Sequence, residues 1–213
     1  MTAKNKFSLL MLVVTLLSLA SNQEAMAQSS SRAAGIKGGL NFSNLYLDNV
    51  TDQNMRLGFN VGIFGQLVSS ETFAIQPELL FSTKGSNAQY SGLIYQEVKY
   101  NLNYLDVPVL AVFKLGDVGE IHLGGYASYL LNANITYKGD LANGASEIDK
   151  DNLKSFDYGF SGGMGANFGN VQVGARYNFG FVEIADSNEA KTVLGDAKNS
   201  CTQIFISFNL NSK

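Results

Sequence analysis

Phe156-Asp-Tyr-Gly-Phe-Ser-Gly-Gly-Met-Gly-Ala-Asn-Phe-Gly-Asn-Val-Gln-Val-Gly-Ala-Arg-Tyr-Asn-Phe-Gly-Phe181 is the most informative stretch of the chain. In its first half Phe156, Tyr158, Phe160, Met164, Ala166 and Phe168 share one parity, and Asp157, Ser161, Gly163, Gly165 and Asn167 share the other. In its second half Val171, Val173, Ala175, Tyr177, Phe179 and Phe181 alternate with Gln172, Gly174, Arg176, Asn178 and Gly180. Period-two alternation is the mark of a strand with one apolar face, and Gly169-Asn170 between the halves is a two-residue hairpin turn.

Working outward, six more segments alternate in the same way. They are Gly35–Phe42, Leu57–Val68, Phe73–Lys84, Tyr95–Lys114, Ile121–Ile135 and Thr202–Leu210. The fourth of these breaks parity, because Val98, Tyr100, Leu102 and Tyr104 are even-numbered while Leu105, Val107, Val109, Ala111 and Phe113 are odd. That shift predicts a β-bulge at Tyr104-Leu105, and Pro108, which has no N–H, predicts a local gap in the ladder. The connections alternate in length: Ser43–Arg56 long, Ser69–Thr72 short, Gly85–Ile94 long, Leu115–Glu120 short, Thr136–Ser155 long, Gly169-Asn170 short, Glu183–Cys201 long. Short turns on one side and long loops on the other are expected of an eight-stranded antiparallel up-and-down transmembrane β-barrel in an outer membrane.

Composition decides which face is outside. Of 213 residues only 15% are charged, against about 25% in ordinary soluble domains, while 14 Phe and 10 Tyr are present. The polar parity is rich in Gly, Asn, Gln and Ser rather than Lys and Glu. This suits a narrow lumen better than the charged coat of a solvated surface. Tyr100, Tyr129, Tyr137 and Tyr158 fall near segment ends, where aromatic girdles meet the membrane–water interface. A net charge of −3 argues against a nucleic-acid partner, and a single Cys excludes an intrachain disulfide or a Cys-rich zinc site.

The first 27 residues read as an export signal rather than as fold. Lys4 and Lys6 precede the apolar run Phe7–Ala20, and Ala25-Met26-Ala27 places small residues before Gln28, the expected new N-terminus. The expected organisation is a signal peptide over 1–27, a short linker over 28–34 and a barrel domain over 35–213. The expected location is the outer membrane of a Gram-negative bacterium, reached by Sec export, with outer-membrane lipid as the surrounding partner.

Four stretches resemble a known family: Gly35-Ile-Lys-Gly-Gly-Leu-Asn-Phe-Ser43, Gln76-Pro-Glu-Leu-Leu-Phe-Ser-Thr-Lys-Gly85, Asn103-Tyr-Leu-Asp-Val-Pro-Val-Leu110 and Gly174-Ala-Arg-Tyr-Asn-Phe-Gly180. The chain resembles the PorT-type outer-membrane β-barrel proteins of the Bacteroidetes. That resemblance implies the same barrel and a tie to protein secretion, with a secretion-machinery or surface protein as partner. Two departures are visible. Asp106-Val107 stands where the family commonly has Glu-Ile, and Phe208 is followed by Asn-Leu-Asn-Ser-Lys instead of ending the chain.

Lys37, Glu78, Lys84, Asp157 and Arg176 fall on the polar parity and are the candidates for structural ion pairs in the lumen, with Glu78 and Arg176 foremost. A buried carboxylate without a partner is costly, which makes pairing the expectation. Nothing points to a catalytic, cofactor or metal site. His122 has no neighbouring serine, and Ser128 is too far along the strand to be activated by it. Cys201 reads as a lone thiol of the fourth outer loop, and the acidic run Lys138–Asn152 as a solvated loop without EF-hand spacing. Gly162–Gly165 is followed by neither Lys nor a helix and is not a phosphate loop. The reading is a non-enzymatic outer-membrane barrel with a structural or interaction role, with a narrow transport or ligand/adhesion barrel as the alternative.

Overall fold

The computed structural model describes residues 34–46, 54–90, 96–140, 144–147, 152–188, 190–191 and 195–210. The expected signal peptide (1–27) and nearly all of the linker (28–34) lie outside them. The strands are β1 (Ala34–Tyr46), β2 (Asn54–Gly65), β3 (Val68–Ser69), β4 (Phe73–Tyr90), β5 (Gln96–Leu115), β6 (Gly119–Gly139), β7 (Gly144–Glu147), β8 (Phe156–Phe168), β9 (Val171–Glu183) and β10 (Lys198–Asn209). All but the short β3 and β7 form the wall. β2 pairs β4, each later wall strand pairs the next, and β1 pairs both β2 and β10. Every pairing is antiparallel and the ring has no free edge, so an eight-stranded barrel closes. A bilayer core demands this, because it offers no water to unpaired backbone groups. Among the described residues no helix is long and apolar enough to cross a membrane.

The outer wall is apolar. Ile36 and Leu40 on β1, Phe59, Val61 and Ile63 on β2, Val173 on β9 and Ile204 on β10 are all exposed. Their neighbours Lys37, Asn41, Asn60, Gln172 and Gln203 are buried inside. Placing Arg at Val61, in the middle of this band, is expected to destabilise the barrel in lipid by about 2–4 kcal/mol. Equilibrium unfolding of Val61→Arg in phospholipid vesicles measures it.

Two expectations about strand geometry need correction. The bulge expected at Tyr104-Leu105 of β5 is absent: β5 keeps even-numbered residues inside from Leu102 to Val112, with Leu102, Tyr104, Asp106, Leu110 and Val112 all buried. The extra residue is Leu131 on β6, because Asn103 faces Asn132 while Tyr104 faces Leu130. Beyond it the inner parity of β6 switches, and Ala133, which shares the odd numbering of the exposed Ile121 and Leu123, is buried inside. The β4–β5 ladder does skip, at constant register, from Pro77↔Val109 to Leu80↔Asp106. That gap lies opposite Pro108, which has no donor.

β4 and β6 also run further toward the long loops than alternation indicates, to Tyr90 and Gly139, while β5 keeps nearly the span read for it. β4, β5 and β6 have 18, 20 and 21 residues, where a tilted crossing needs about 9–11. Their extra length stands beyond the apolar band, and Tyr100 and Tyr137 lie on these overrunning ends. Within the run Lys138–Asn152, residues 144–147 form β7 on the edge of β6 at Asn134–Tyr137. Residues 141–143 and 148–151 of that run are not among the described ones. Cys201 is not in a loop: β10 begins at Lys198, and Cys201 is a buried wall residue.

Candidate functional site

The interior of the barrel is the place where chemistry-bearing side chains meet. Alternation alone aims one residue in two inward; the register between strands then decides which of them touch. At the centre, Glu78 on β4 receives four charged contacts. Lys37 Nζ on β1 lies 3.1 Å from Oε1 and 3.3 Å from Oε2. Arg176 on β9 clasps the same carboxylate with both terminal nitrogens, at 2.7 and 2.9 Å. Gln76 donates to Oε1 at 2.9 Å. Such bidentate, charge-assisted geometry is the strong kind of hydrogen bond. All three charged side chains are out of contact with solvent.

Two cations share one anion here, and an aromatic ring supplies further compensation. Lys37 Nζ stands 3.6 Å from the centroid of Phe205 on β10, and the Arg176 guanidinium 5.4 Å from it. The His122 ring stacks on Phe205 at 6.2 Å. The π face attracts both cations where water is excluded. Two glycines make room: a Cβ at Gly174 would lie 2.4 Å from Phe205 Cζ, and one at Gly163 would lie 2.9 Å from Arg176 Cα. A Cβ at Gly174 would also lie 2.5 Å from the Met164 carbonyl oxygen, so Gly174→Leu forces both the ring and that backbone to shift. Its thermal unfolding in detergent is expected to fall below wild type by the equivalent of about 1–3 kcal/mol.

A second tier lies toward the long loops. Lys84 on β4 donates to Asp106 on β5 at 2.9 Å and to Ser128 on β6 at 3.3 Å, and Ser128 donates to the same Asp106 oxygen at 2.5 Å. Asp157 on β8 is not in that ion pair. It accepts from Tyr126 at 3.3 Å and from Asn199 at 3.0 Å, and Asn199 also reaches the Tyr104 hydroxyl. Between the tiers Asn41, Asn60 and Gln203 form an amide cluster on Asn41 Oδ1. A third tier closes the short-turn end: Glu120 accepts from His122 at 3.0 Å, Gln172 at 2.7 Å and Asn167 at 2.9 Å.

The long-loop end is closed by apolar side chains instead. Leu45, Leu102, Tyr104, Leu130 and Ala133 from the wall pack against Leu153, Ile184 and Ala197 from the connections before β8 and before β10. These connections are held by backbone bonds: Lys154 N to Ile184 O at 2.8 Å, Ile184 N to Ala197 O at 2.8 Å and Leu130 N to Ser155 O at 2.8 Å. The lumen is thus a stack of three polar tiers under an apolar stopper. An eight-stranded barrel is just wide enough to be filled this way.

The structure brings Lys37, Glu78 and Arg176 into one cluster, gives Lys84 to Asp106, and leaves Asp157 to Tyr126 and Asn199. Asp106, Glu120 and Phe205 were not among the sequence candidates. Asp106 shares the parity of Leu102 and Tyr104, which alternation alone assigns to the lipid side. Glu120 reads as turn, and Phe205 is hidden between the outward Ile204 and Ile206. His122 touches Glu120 and Phe205, and among the described residues no hydroxyl is bonded to it. Among those residues no group of three or more His, Cys, Asp or Glu is placed to hold a metal ion.

Against known proteins, residues 25–186 match the family described as outer membrane protein beta-barrel domain. The chain belongs to that family. No curated protein matches it in sequence at a significant level. Among solved structures it is similar to Ail, the attachment invasion locus protein of Yersinia pestis, determined in complex with the heparin analogue sucrose octasulfate. The two are 12% identical with a TM-score of 0.50, over 85% of this chain and all of that one (100%). Neisserial surface protein A is similar at 11% identity and a TM-score of 0.51, again over 85% of this chain and 100% of that one. Both likenesses are of fold, and with the family match they make this an outer-membrane β-barrel protein. The resemblance to PorT-type proteins has no counterpart in these matches.

Proposed function

We propose that this outer-membrane barrel is non-enzymatic and sealed, and that it works through the surfaces it presents outside the bilayer. The filled lumen is the observation that carries this reading. Lys37, Glu78 and Arg176 with Phe205 block the middle, Glu120 with Gln172 and Asn167 the short-turn end, and the Leu102–Leu153–Ile184 cluster the other. In this reading the ion pairs are structural and carry no solute. Export depends on residues 1–27, with cleavage near Ala27-Gln28.

Two interaction roles follow. A role accessory to protein secretion rests on the PorT-type motifs, chiefly Gln76-Pro-Glu-Leu79 and Tyr104-Leu-Asp-Val-Pro108. A ligand or adhesion role is favoured by the long sheet of β4, β5 and β6 with β7 on its edge, a hydrogen-bonded surface beyond the apolar band. The experiment is a comparison of a deletion strain with its parent. Specific loss of exported surface proteins from an intact envelope supports the secretion role. An unchanged set of exported proteins with reduced attachment to surfaces or cells supports the adhesion role. A strain unchanged in both contradicts the proposal.

A further inference from the structure

The outward face of the barrel changes character along one register line. On β4, β5 and β6 the residues Thr83, Asn103 and Asn132 are direct partners in adjacent strands. On the short-turn side of this line the outward residues are apolar, as with Phe81, Leu105 and Tyr129. On the other side they are amides, hydroxyls and charged groups, the one carboxylate among the described outward residues of β5, Glu97, being bonded to Lys99 and Asn87. Asn101 and Asn103 alternate with the buried Leu102 and Tyr104, so both face outward. Past Leu131, Asn132 and Asn134 flank the buried Ala133 and face outward as well.

Arg56 on β2 joins this face. Its Nε donates to Asn101 Oδ1 at 2.8 Å, and Asn101 Nδ2 donates on to Thr136 Oγ1 at 3.2 Å. Its Nη1 reaches the Lys84 carbonyl at 3.2 Å. The side chain crosses β4 over Gly85, where a Cβ would lie 3.4 Å from Arg56 Cδ. Gly85 has a φ of 138°, in the region that favours glycine, and a Cβ there would lie 1.9 Å from the Tyr100 carbonyl oxygen. Among the described residues no carboxylate pairs with Arg56 and none accepts a hydrogen bond from its Nη2. Lys99, on the same face, is already paired with Glu97 at 3.2 Å. On the neighbouring strands the boundary is aromatic, with Tyr129 against Phe156 at 5.1 Å and Tyr158 against Phe181 at 6.4 Å. Aromatic girdles of this kind stand at head-group level.

A half-buried guanidinium without a carboxylate, oriented by an amide and facing outward at the edge of an apolar band, matches a phosphate. We propose that Arg56, Asn101 and Thr136 form a binding site for a phosphate-bearing anion, the head group of a membrane lipid at the long-loop side. Arg56 contributes charge and the Nη2 donors, while Asn101, itself bonded to Thr136, holds the guanidinium in place, and both offer hydrogen bonds to the ester and glycerol oxygens.

The test uses the full mature barrel in nanodiscs of phosphatidylglycerol mixed with phosphatidylcholine, released into mild detergent and weighed by native mass spectrometry. Wild type is expected to retain phosphatidylglycerol over phosphatidylcholine by about tenfold, the size of one charge-assisted contact. Arg56→Gln is expected to lose that preference, and Lys99→Gln to keep it. Heat-modifiable gel mobility of each variant shows that the barrel is folded. A second arm adds inorganic phosphate. Retention of the lipid supports a lipid-borne phosphate, whereas displacement by phosphate that itself binds in an Arg56-dependent manner supports the same site filled from solution. Equal retention of both lipids by wild type, or an unaltered preference in folded Arg56→Gln, overturns the proposal.

Discussion

Glu78→Ala is expected to lower the unfolding free energy of the barrel by about 3–5 kcal/mol, the range for breaking a buried ion pair by removing one partner. The reason is local. Glu78 is the only carboxylate bonded to either Lys37 or Arg176 among the described residues, and it accepts from both. Removing it leaves two cations close together, both packed on Phe205, with neither solvent nor an anion to offset them. A companion variant separates loss of the anion from loss of the whole cluster. Replacing the trio together, Lys37→Met with Glu78→Leu and Arg176→Met, removes charge and desolvation cost at once. It is expected to be neutral or stabilising by about 1–4 kcal/mol, as in other buried triads exchanged for apolar residues. Urea titrations in detergent micelles, followed by heat-modifiable gel mobility, measure both. A Glu78→Ala protein as stable as wild type would contradict the central cluster as drawn.

Phe205→Ala carries an expected loss of similar size by a different route. The ring is almost wholly buried, fills the barrel at its middle and is touched by Lys37, Arg176 and His122. Its removal forfeits apolar contact and leaves a cavity that a closed wall does not collapse to fill, a cost of about 3–5 kcal/mol. Phe205→Leu restores most of the volume but not the π face. The wall is otherwise unchanged, so this exchange is expected to cost less than about 1.5 kcal/mol on packing grounds, plus the lost cation–π attraction of about 2 kcal/mol. The Ala variant is therefore expected to melt below the Leu variant and both below wild type. Melting of the Ala variant at the wild-type temperature would mean that the ring is not the floor of the cluster.

These two residues also show how far the sequence could be read. The hairpin of β8 and β9 is plain because one face is lipid and the other is lumen, so every second residue reports its side. Glu78 and Arg176 could be nominated from the same alternation, although their contact spans 98 residues and exists only because the ring closes. Phe205 could not, because Ile204-Phe205-Ile206 is a run of three apolar residues and period two is silent inside such a run. Leu102 and Tyr104 misled for a related reason. The long-loop end of the lumen is apolar, so an inward leucine looks like an outward one, and the parity shift was assigned to β5 although the extra residue is Leu131 on β6. The overrunning end of β4, Gly85-Ser-Asn-Ala-Gln-Tyr90, has no apolar alternation to report, whereas β5 and β6 keep alternating there, Val98 and Tyr100 against Lys99 and Asn101, and Ile135 and Tyr137 against Asn134 and Thr136. Asp106 was concealed by the same misplaced shift. Its contact with Lys84 follows directly once even-numbered residues of β5 are placed inside.

The central claim is that the barrel is filled from end to end, by three polar tiers and an apolar stopper. Single-channel recording of the mature protein in a planar lipid bilayer tests it most directly. The account predicts a current indistinguishable from the bare bilayer across the applied voltages. Stepwise, sustained openings by the wild-type protein would contradict it, because they require a continuous aqueous path through Glu78, Phe205 and the Leu102–Leu153–Ile184 cluster.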